Sequence, residues 1–552
     1  MSSADHGFPK GERFAVTRRE LLRLIGGGAG LVVANRFLPI STALATPVAQ
    51  AATLVVAANF VIKSLDPART IETTSEMVNH ATYDSLVTFD GEDLKTPKPS
   101  LATSWRVSSD GKTYTFVLRQ NVRFASGNPL TATDVKWSLD RVLNLKANSL
   151  FLLDGVEDVL VLDPSRVAIR LKTPKPSILP ILSSPSLGIL DSKFVTEQGG
   201  DATPDARDKD KAETYLNAHS AGTGAYVLTR YTPGQEVALE RNPTHWRPAA
   251  NAERIVIRNI VEPATEQIQV EKGDVDIATG LGQDQLQALR RAQGVSVKTS
   301  PAATTFYVLM NANPSVGGPF ANPKIQQAVR YALDYAGILT IAGAGSVRLA
   351  GVIPTLFPGA MDPRQGPNTD RDRARSLIRE SGVSDVRGQL SYASDSTIWG
   401  VQMNLLAQKI QADLLAVDIR LDLNGLPITT ALQQYRDGKN QVGVWSWAAD
   451  YPDASDFLVY LPGRTVGKRA GWLPDASPAT KALADLGDQV EMEPDNAKRL
   501  ALYQRIDRQL AEMGPYAPLF QPAVPYAFRS NVGGVTFNSV WGLDFYTLTR
   551  TA

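Results

Sequence analysis

The fold class this sequence predicts is an α/β body too large for one domain, and three observations carry the prediction. The chain has 552 residues, more than a single hydrophobic core organises, so two or three lobes are expected. Its first body segment, Thr53 to Ala58, reads as a short buried strand. After the Pro67 break, Ser75 to Leu86 has helix-compatible spacing at Met77, Ala81 and Leu86. The same rhythm returns late in the chain, where an amphipathic stretch from Val401 to Leu415 precedes the alternating Ile419, Leu421 and Leu423.

Composition narrows the class of function. With 43% hydrophobic and 20% charged residues the chain is ordinary globular material. The first 45 residues hold six basic and three acidic residues. The remaining 51 basic and 53 acidic residues leave a body near −2, which argues against a general nucleic-acid binder. Without cysteine there is no disulfide, thiolate metal site, cysteine nucleophile or cysteine-linked lipid anchor, and four histidines make no imidazole cluster. No metal or other cofactor is expected.

Residues 1–45 have the layout of an export signal. Thr17-Arg18-Arg19-Glu20-Leu21-Leu22-Arg23 precedes a glycine-rich apolar run from Leu24 to Val33, and small-residue sites follow at Ala43-Leu44-Ala45 and Ala49-Gln50-Ala51. The paired arginines and the weakly hydrophobic Gly26-Gly27-Gly28 resemble a twin-arginine signal, with an ordinary secretory signal as the alternative. Both readings place the mature chain outside the cytoplasm, in the periplasm, and the run is too short to span a membrane durably.

In the body, Asp110-Gly111 is a turn before the alternating strand of Tyr114, Phe116 and Leu118. Thr131-Ala132-Thr133-Asp134 is a capping box opening a helix with Val135, Leu139 and Val142 on one face. Pro233-Gly234 joins two alternating strands, and Asn322-Pro323 caps and starts a helix with Ile325, Ala328, Val329 and Ala332 inward. Gly343-Ala344-Gly345 follows a helix rather than a strand, the wrong context for a nucleotide loop. Asp495 to Met513 reads as a helix and Ala517 to Phe520 as a buried strand.

The stretch from Val444 to Leu461 holds the candidate site. Trp445 and Trp447 sit at strand spacing and share a face, and Asp450 follows as the chain leaves the strand before Tyr451-Pro452. Two indoles beside one carboxylate suit an organic ligand with a cationic group. The alternative reading makes the tryptophans core residues and gives Asp450 or Asp453 to capping a helix near Ser455. Asp450, Asp453 and Asp456 at spacing three also fit a carboxylate hydrolase, although they equally favour the positive end of a helix dipole.

Several blocks together resemble a known family, the extracytoplasmic solute-binding proteins of ABC importers, family 5, whose branch binds peptides, nickel complexes and related solutes. They are Pro99 to Val142, with its DGK turn, aromatic strand and Phe-x-x-Gly-x-Pro; Ala221-Gly222-Thr223-Gly224-Ala225-Tyr226 with Asn242-Pro243-Thr244-His245-Trp246; Lys272 to Ile277; and Trp447-Ala448-Ala449-Asp450-Tyr451. Ala225 departs from the family's usual proline.

The resemblance implies a periplasmic-binding-protein type II-like fold, two lobes around a ligand cleft with an inserted subdomain. Residues 52–84, 185–302 and 515–552 would form lobe one, 85–184 the insertion and 303–514 lobe two. It implies that Asp450 pairs with a ligand α-ammonium group and that Trp447 is a wall beside it, with Trp445 and Tyr451 adjoining. The loop holding Asp395 and Trp399 lacks the arginine with which some members hold a ligand carboxylate, which favours a cationic or uncharged polar solute. Arg348, Arg464 and Arg469 remain candidates for that role. The implied protein is a monomeric, non-catalytic receptor without a lipid anchor. It hands a peptide, amine or other polar solute to a membrane permease of the ABC class, with a sensor or chaperone role as the alternative.

Overall fold

The computed structural model describes residues 53–60 and 62–551; the leader with its arginine pair lies outside the described residues. Three sheets organise the body. The first has seven strands, with Thr53–Ala58 near its middle, parallel to both Arg254–Asn259 and Ile277–Ala278. Its other strands are Tyr226–Thr232, Glu236–Arg241, Val295–Pro301 and Ala523–Arg529. Leu54 and Val56 feed the core on one face while Ala57 feeds the core on the other, as a period of two requires.

The second sheet has six strands built around Thr304–Met310, which is buried along its whole length. Phe306, Val308 and Met310 enter one core, Tyr307 and Leu309 the opposite one. Val442–Ala448 and Tyr516–Gln521 flank this strand antiparallel, and Arg387–Ala393 runs parallel to Arg420–Leu426 beyond. The third sheet, Ala102–Val107, Thr113–Leu118, Arg166–Leu171 and Val156–Asp163, is antiparallel throughout and packs on the helix Ala132–Leu145. That helix opens on the expected box, with Thr131 N donating to Asp134 Oδ2 at 2.8 Å.

Among the described residues, only two stretches pass between the large sheets. Val295–Pro301 continues into Thr304–Met310, and Tyr516–Gln521 into Ala523–Arg529. They meet where Ala302 N donates to the Pro522 carbonyl at 2.9 Å. Two short extended connections side by side make a hinge. The return to the first lobe expected at Pro515 falls instead at Pro522, because Tyr516–Gln521 still pairs with Thr304–Met310 and only Ala523–Arg529 pairs with Val295–Pro301. The insertion is less separate than its chain limits: its core takes in Ala68, Leu187 and Ile189 from the first lobe's connecting segments.

The helix expected from Ser75 to Leu86 is shorter, Thr73–Thr82. Its end is set from outside. Gly222 and Gly224 press onto it so closely that a Cβ at Gly222 would lie 2.3 Å from the Thr82 carbonyl oxygen.

Candidate functional site

Val442–Ala448 lies inside the second sheet, so its two tryptophans meet different surroundings along one face. Trp445 is 5% exposed. Its ring stacks on Tyr435 at 4.4 Å, and its Nε1 donates to Asn440 Oδ1 at 2.8 Å. It is a core residue, and the expectation that it walls the ligand is corrected: the mid-strand position buries it under the helix Ile428–Arg436. Trp447, two residues on at the strand end, is half-buried and donates from Nε1 to Asp456 Oδ2 at 3.0 Å.

The three aspartates divide their work. Asp453 is the cap, accepting from Ser455 N at 2.9 Å at the head of the 3-10 helix Ala454–Tyr460. Asp456 holds the site's shape: the Oδ2 that takes the Trp447 indole also takes the Asp450 amide at 3.2 Å. The Asp450 carboxylate accepts no hydrogen bond from any described residue. It lines a cavity of about 780 Å³ together with Trp447, Tyr451 and Asp456, opposite Phe151 and Lys175 of the insertion. Tyr451 is half-buried, with its hydroxyl 3.2 Å from Ser455 Oγ.

Asp395 and Trp399 do not join this group. They line a second cavity, about 460 Å³, between the lobes and next to Thr73 and Met77. Asp395 is exposed and accepts from Ile428 N at 3.0 Å, so it also serves the start of the next helix. Trp399 has an unusual backbone. Thr397 and Ile398 pair antiparallel with Gln402 and Val401, and the two-residue turn between them, Trp399 at φ 52° and Gly400 at φ 77°, is left-handed at both positions. A bulky residue there costs about 1–2 kcal/mol, and here the indole packs against the cores of both lobes.

Of the three arginines offered for a ligand carboxylate, Arg464 and Arg348 already have partners, while Arg469 makes no hydrogen bond or ion pair with a described residue. Arg464 borders the larger cavity but is held by Asp488 at 2.6 Å and Glu491 at 2.9 Å. Arg348 donates to Asn368 and the Pro367 carbonyl, and Arg469 lies over the Tyr435 and Trp447 rings at 4.7 and 5.7 Å.

Burial sets the charge state of the carboxylates. It pushes Asp450 up to about 6. It raises Asp456 well above the carboxylate range, with the charge of Asp450 adding to the effect. A third carboxylate is also raised by burial. Glu76, on the helix Thr73–Thr82, is 5% exposed and pushed up to about 8 by burial, again with Asp450 contributing. Sequence reasoning passed over Glu76. The signal was a carboxylate on a helix with no lysine or arginine three or four residues away.

The profile of bacterial extracellular solute-binding proteins, family 5 (middle region), matches residues 96–468. The chain belongs to that family. Among family 5 relatives, the di/tripeptide-binding protein 2 of Pseudomonas aeruginosa is 28% identical over 522 residues, covering 90% of this chain and 94% of that protein. The probable D,D-dipeptide-binding periplasmic protein DdpA of Escherichia coli K12 is 26% identical over 488 residues, 86% of this chain and 90% of its own. In structure, the periplasmic binding protein DppA of Helicobacter pylori in complex with the peptide STSA superposes with a TM-score of 0.74 at 22% identity, over 91% of this chain and 98% of that one. The fold is thus the type II periplasmic-binding fold of family 5, as the sequence led one to expect. Among the described residues, no helix is long and apolar enough to cross a membrane.

Proposed function

We propose that this family 5 protein is the receptor of an ABC importer, capturing a short peptide or a related amine-bearing solute between its lobes and presenting the closed form to a membrane permease. One observation carries the reading: a carboxylate without a partner, Asp450, stands on a cavity wall beside the half-buried Trp447. An ammonium group there gains a charged hydrogen bond in a water-poor site and an aromatic neighbour. The curated relatives named for dipeptides and tripeptides support the same ligand class. The hinge at Ala302 and Pro522 supports ligand-driven closure, in which the ligand selects the state the permease reads.

Catalysis has less to work with. Of the three carboxylates a hydrolase would use, Asp453 caps a helix and Asp456 holds an indole and an amide. Twin-arginine export and action as a monomer complete the proposal. Replacing Arg18 and Arg19 by lysine should stop processing of the precursor, and normal processing would overturn the export route.

The central test is native mass spectrometry of protein isolated from its own periplasm, followed by denaturation and identification of the released molecule. A stoichiometric amine-bearing compound is the expected result; a bound compound without a basic group would overturn the role of Asp450.

A further inference from the structure

The larger cavity carries charge of both signs, and the two signs do not meet. Its second-lobe wall holds the unpartnered carboxylate of Asp450. Its insertion wall holds Lys172 and Lys175. Among the described residues neither lysine enters an ion pair, with Asp450 or with any other acid.

The insertion itself fixes where the Lys175 ammonium stands. Its Nζ donates to the Asp154 carbonyl at 2.8 Å, and its stem runs past Gly155, where a Cβ would lie 4.0 Å from Lys175 Cδ. Asp154 and Gly155 line the same cavity, so the ammonium is held at the cavity wall. One of its three N–H donors is spent there, on a carbonyl that brings no compensating charge. Burial therefore lowers the lysine from its ordinary value. The acids that bear on it are Asp154, whose side chain is exposed, and Glu491, which Arg464 already holds at 2.9 Å. Ser177, 4% exposed on the same wall, bonds through its hydroxyl to no described residue.

The other cations are worse placed for a ligand. Arg464 borders the cavity with its Nη2 taken by Asp488 and Glu491. Arg469 has no such partner, but it lies over the Tyr435 ring and lines neither cavity. Lys172 is exposed, so water and salt screen its charge.

We infer that Lys175 seats a carboxylate of the ligand, so that the cavity selects a zwitterion with its ammonium at Asp450 and its carboxylate at Lys175. The inference rests on the receptor reading above and adds a specificity-determining residue to it. It departs from the cationic or uncharged solute that the sequence favoured. The arginines weighed there all belong to the second lobe, whereas this cation comes from the insertion. Phe151, Leu458 and Val459 give the cavity apolar surface for the body of the solute. A solute lacking either charged end leaves one of the two protein charges unanswered, which is how the cavity discriminates.

The test titrates the full mature chain, stripped of ligand by unfolding and refolding, in a calorimeter. The probes are dialanine and trialanine, each free, amidated at the C-terminus and acetylated at the N-terminus. Wild type should bind the better free peptide about tenfold or more tightly than its amide, the size of one charged hydrogen bond. Lys175→Met keeps the stem along Gly155 and should abolish that preference by weakening the free peptide alone; Lys175→Arg should restore most of it. Equal loss for free and amidated peptide in Lys175→Met would mean a structural role and overturn the seat. Wild type that binds free and amidated peptide equally, with the acetylated form weaker, would overturn the seat and leave the receptor reading standing. This comparison needs no variant, so it decides the matter even where Lys175→Met fails to fold. A preference that survives in Lys175→Met and disappears in Arg469→Met would likewise overturn it. Binding of none of these peptides would overturn both readings.

Discussion

Two buried carboxylate clusters sit in this molecule, and only one carries its own cation. In the first, Arg141 of the insertion's helix is fully buried and reaches Asp66 through Nη1 and Nη2 at 2.8 and 2.6 Å. Its Nε and Nη2 reach Asp210 at 2.8 and 3.0 Å. Arg69 adds contacts to both acids at 3.2 and 3.1 Å. Arg141 pairs with each acid in bidentate geometry, and the cluster ties the insertion to the first lobe. In the second, Asp450 and Asp456 lie side by side with an indole and an amide donor, and no described cation pairs with either. The first cluster is architecture. The second is the cluster that the proposed receptor reading assigns to the ligand.

The largest effect that separates them is on folding. Arg141→Ala leaves Asp66 and Asp210 buried without their main partner, and a loss of about 3–5 kcal/mol is expected in urea unfolding. Asp450→Ala should leave the unfolding midpoint unchanged or raised, and weaken an amine-bearing ligand by about 1.5–3 kcal/mol in calorimetry. If both variants behave alike, the contrast between the clusters fails.

Acidity sharpens it further. Glu76 at about 8 and Asp450 at about 6 are raised above their ordinary values, so the folded chain binds more protons than the unfolded one. Its advantage is full below the ordinary carboxylate range and is lost as pH rises through about 6 to 8. Urea unfolding should therefore show stability falling between pH 5 and about 8, with a flatter profile in the Glu76→Gln/Asp450→Asn variant. The smallest effect compares two indoles of one strand. Trp445→Phe should cost about 2 kcal/mol of stability with ligand affinity intact, because it loses the Asn440 bond and part of the packing on Tyr435. Trp447→Phe should instead weaken binding severalfold, because the Asp456 carboxylate that orients Asp450 loses its indole.

Much of the local structure is legible in the sequence because its causes are local. Thr53–Ala58 is a strand because a short apolar run has nowhere else to go. Pro323–Ala332 starts where Asn322 caps it, its side chain accepting from Lys324 N at 2.9 Å. The capping box at Thr131 and the Pro233-Gly234 turn have the same kind of cause. The helix at Thr73–Thr82 ends early because glycines some 140 residues away in sequence close on its last turn, which no local pattern contains.

The candidate site divides on the same line. Asp450, Trp447 and Tyr451 were legible because they lie within five residues on one exit from one strand, and they line one cavity together. Trp445 shares their strand face but not their environment. Whether an indole on a strand is wall or core depends on what covers it, here Tyr435. Asp395 and Trp399 were read into the same site and face a different cavity, because the loop between them and the strand is carried by a separate hairpin.

By itself the sequence determined that this is an α/β protein of family 5 type, with an export-like leader and an acidic, aromatic segment suited to a cationic solute. Those properties rest on composition, periodicity and short motifs, each written within a few consecutive residues. Tertiary structure alone decided that the second crossing lies at Pro522, that Trp445 is core, and that Glu76 is buried against Ser186 with one carboxylate oxygen unpartnered. Burial and charge pairing depend on which distant segments pack together, and a lone carboxylate shows its meaning only when its neighbours in space are known to lack a cation.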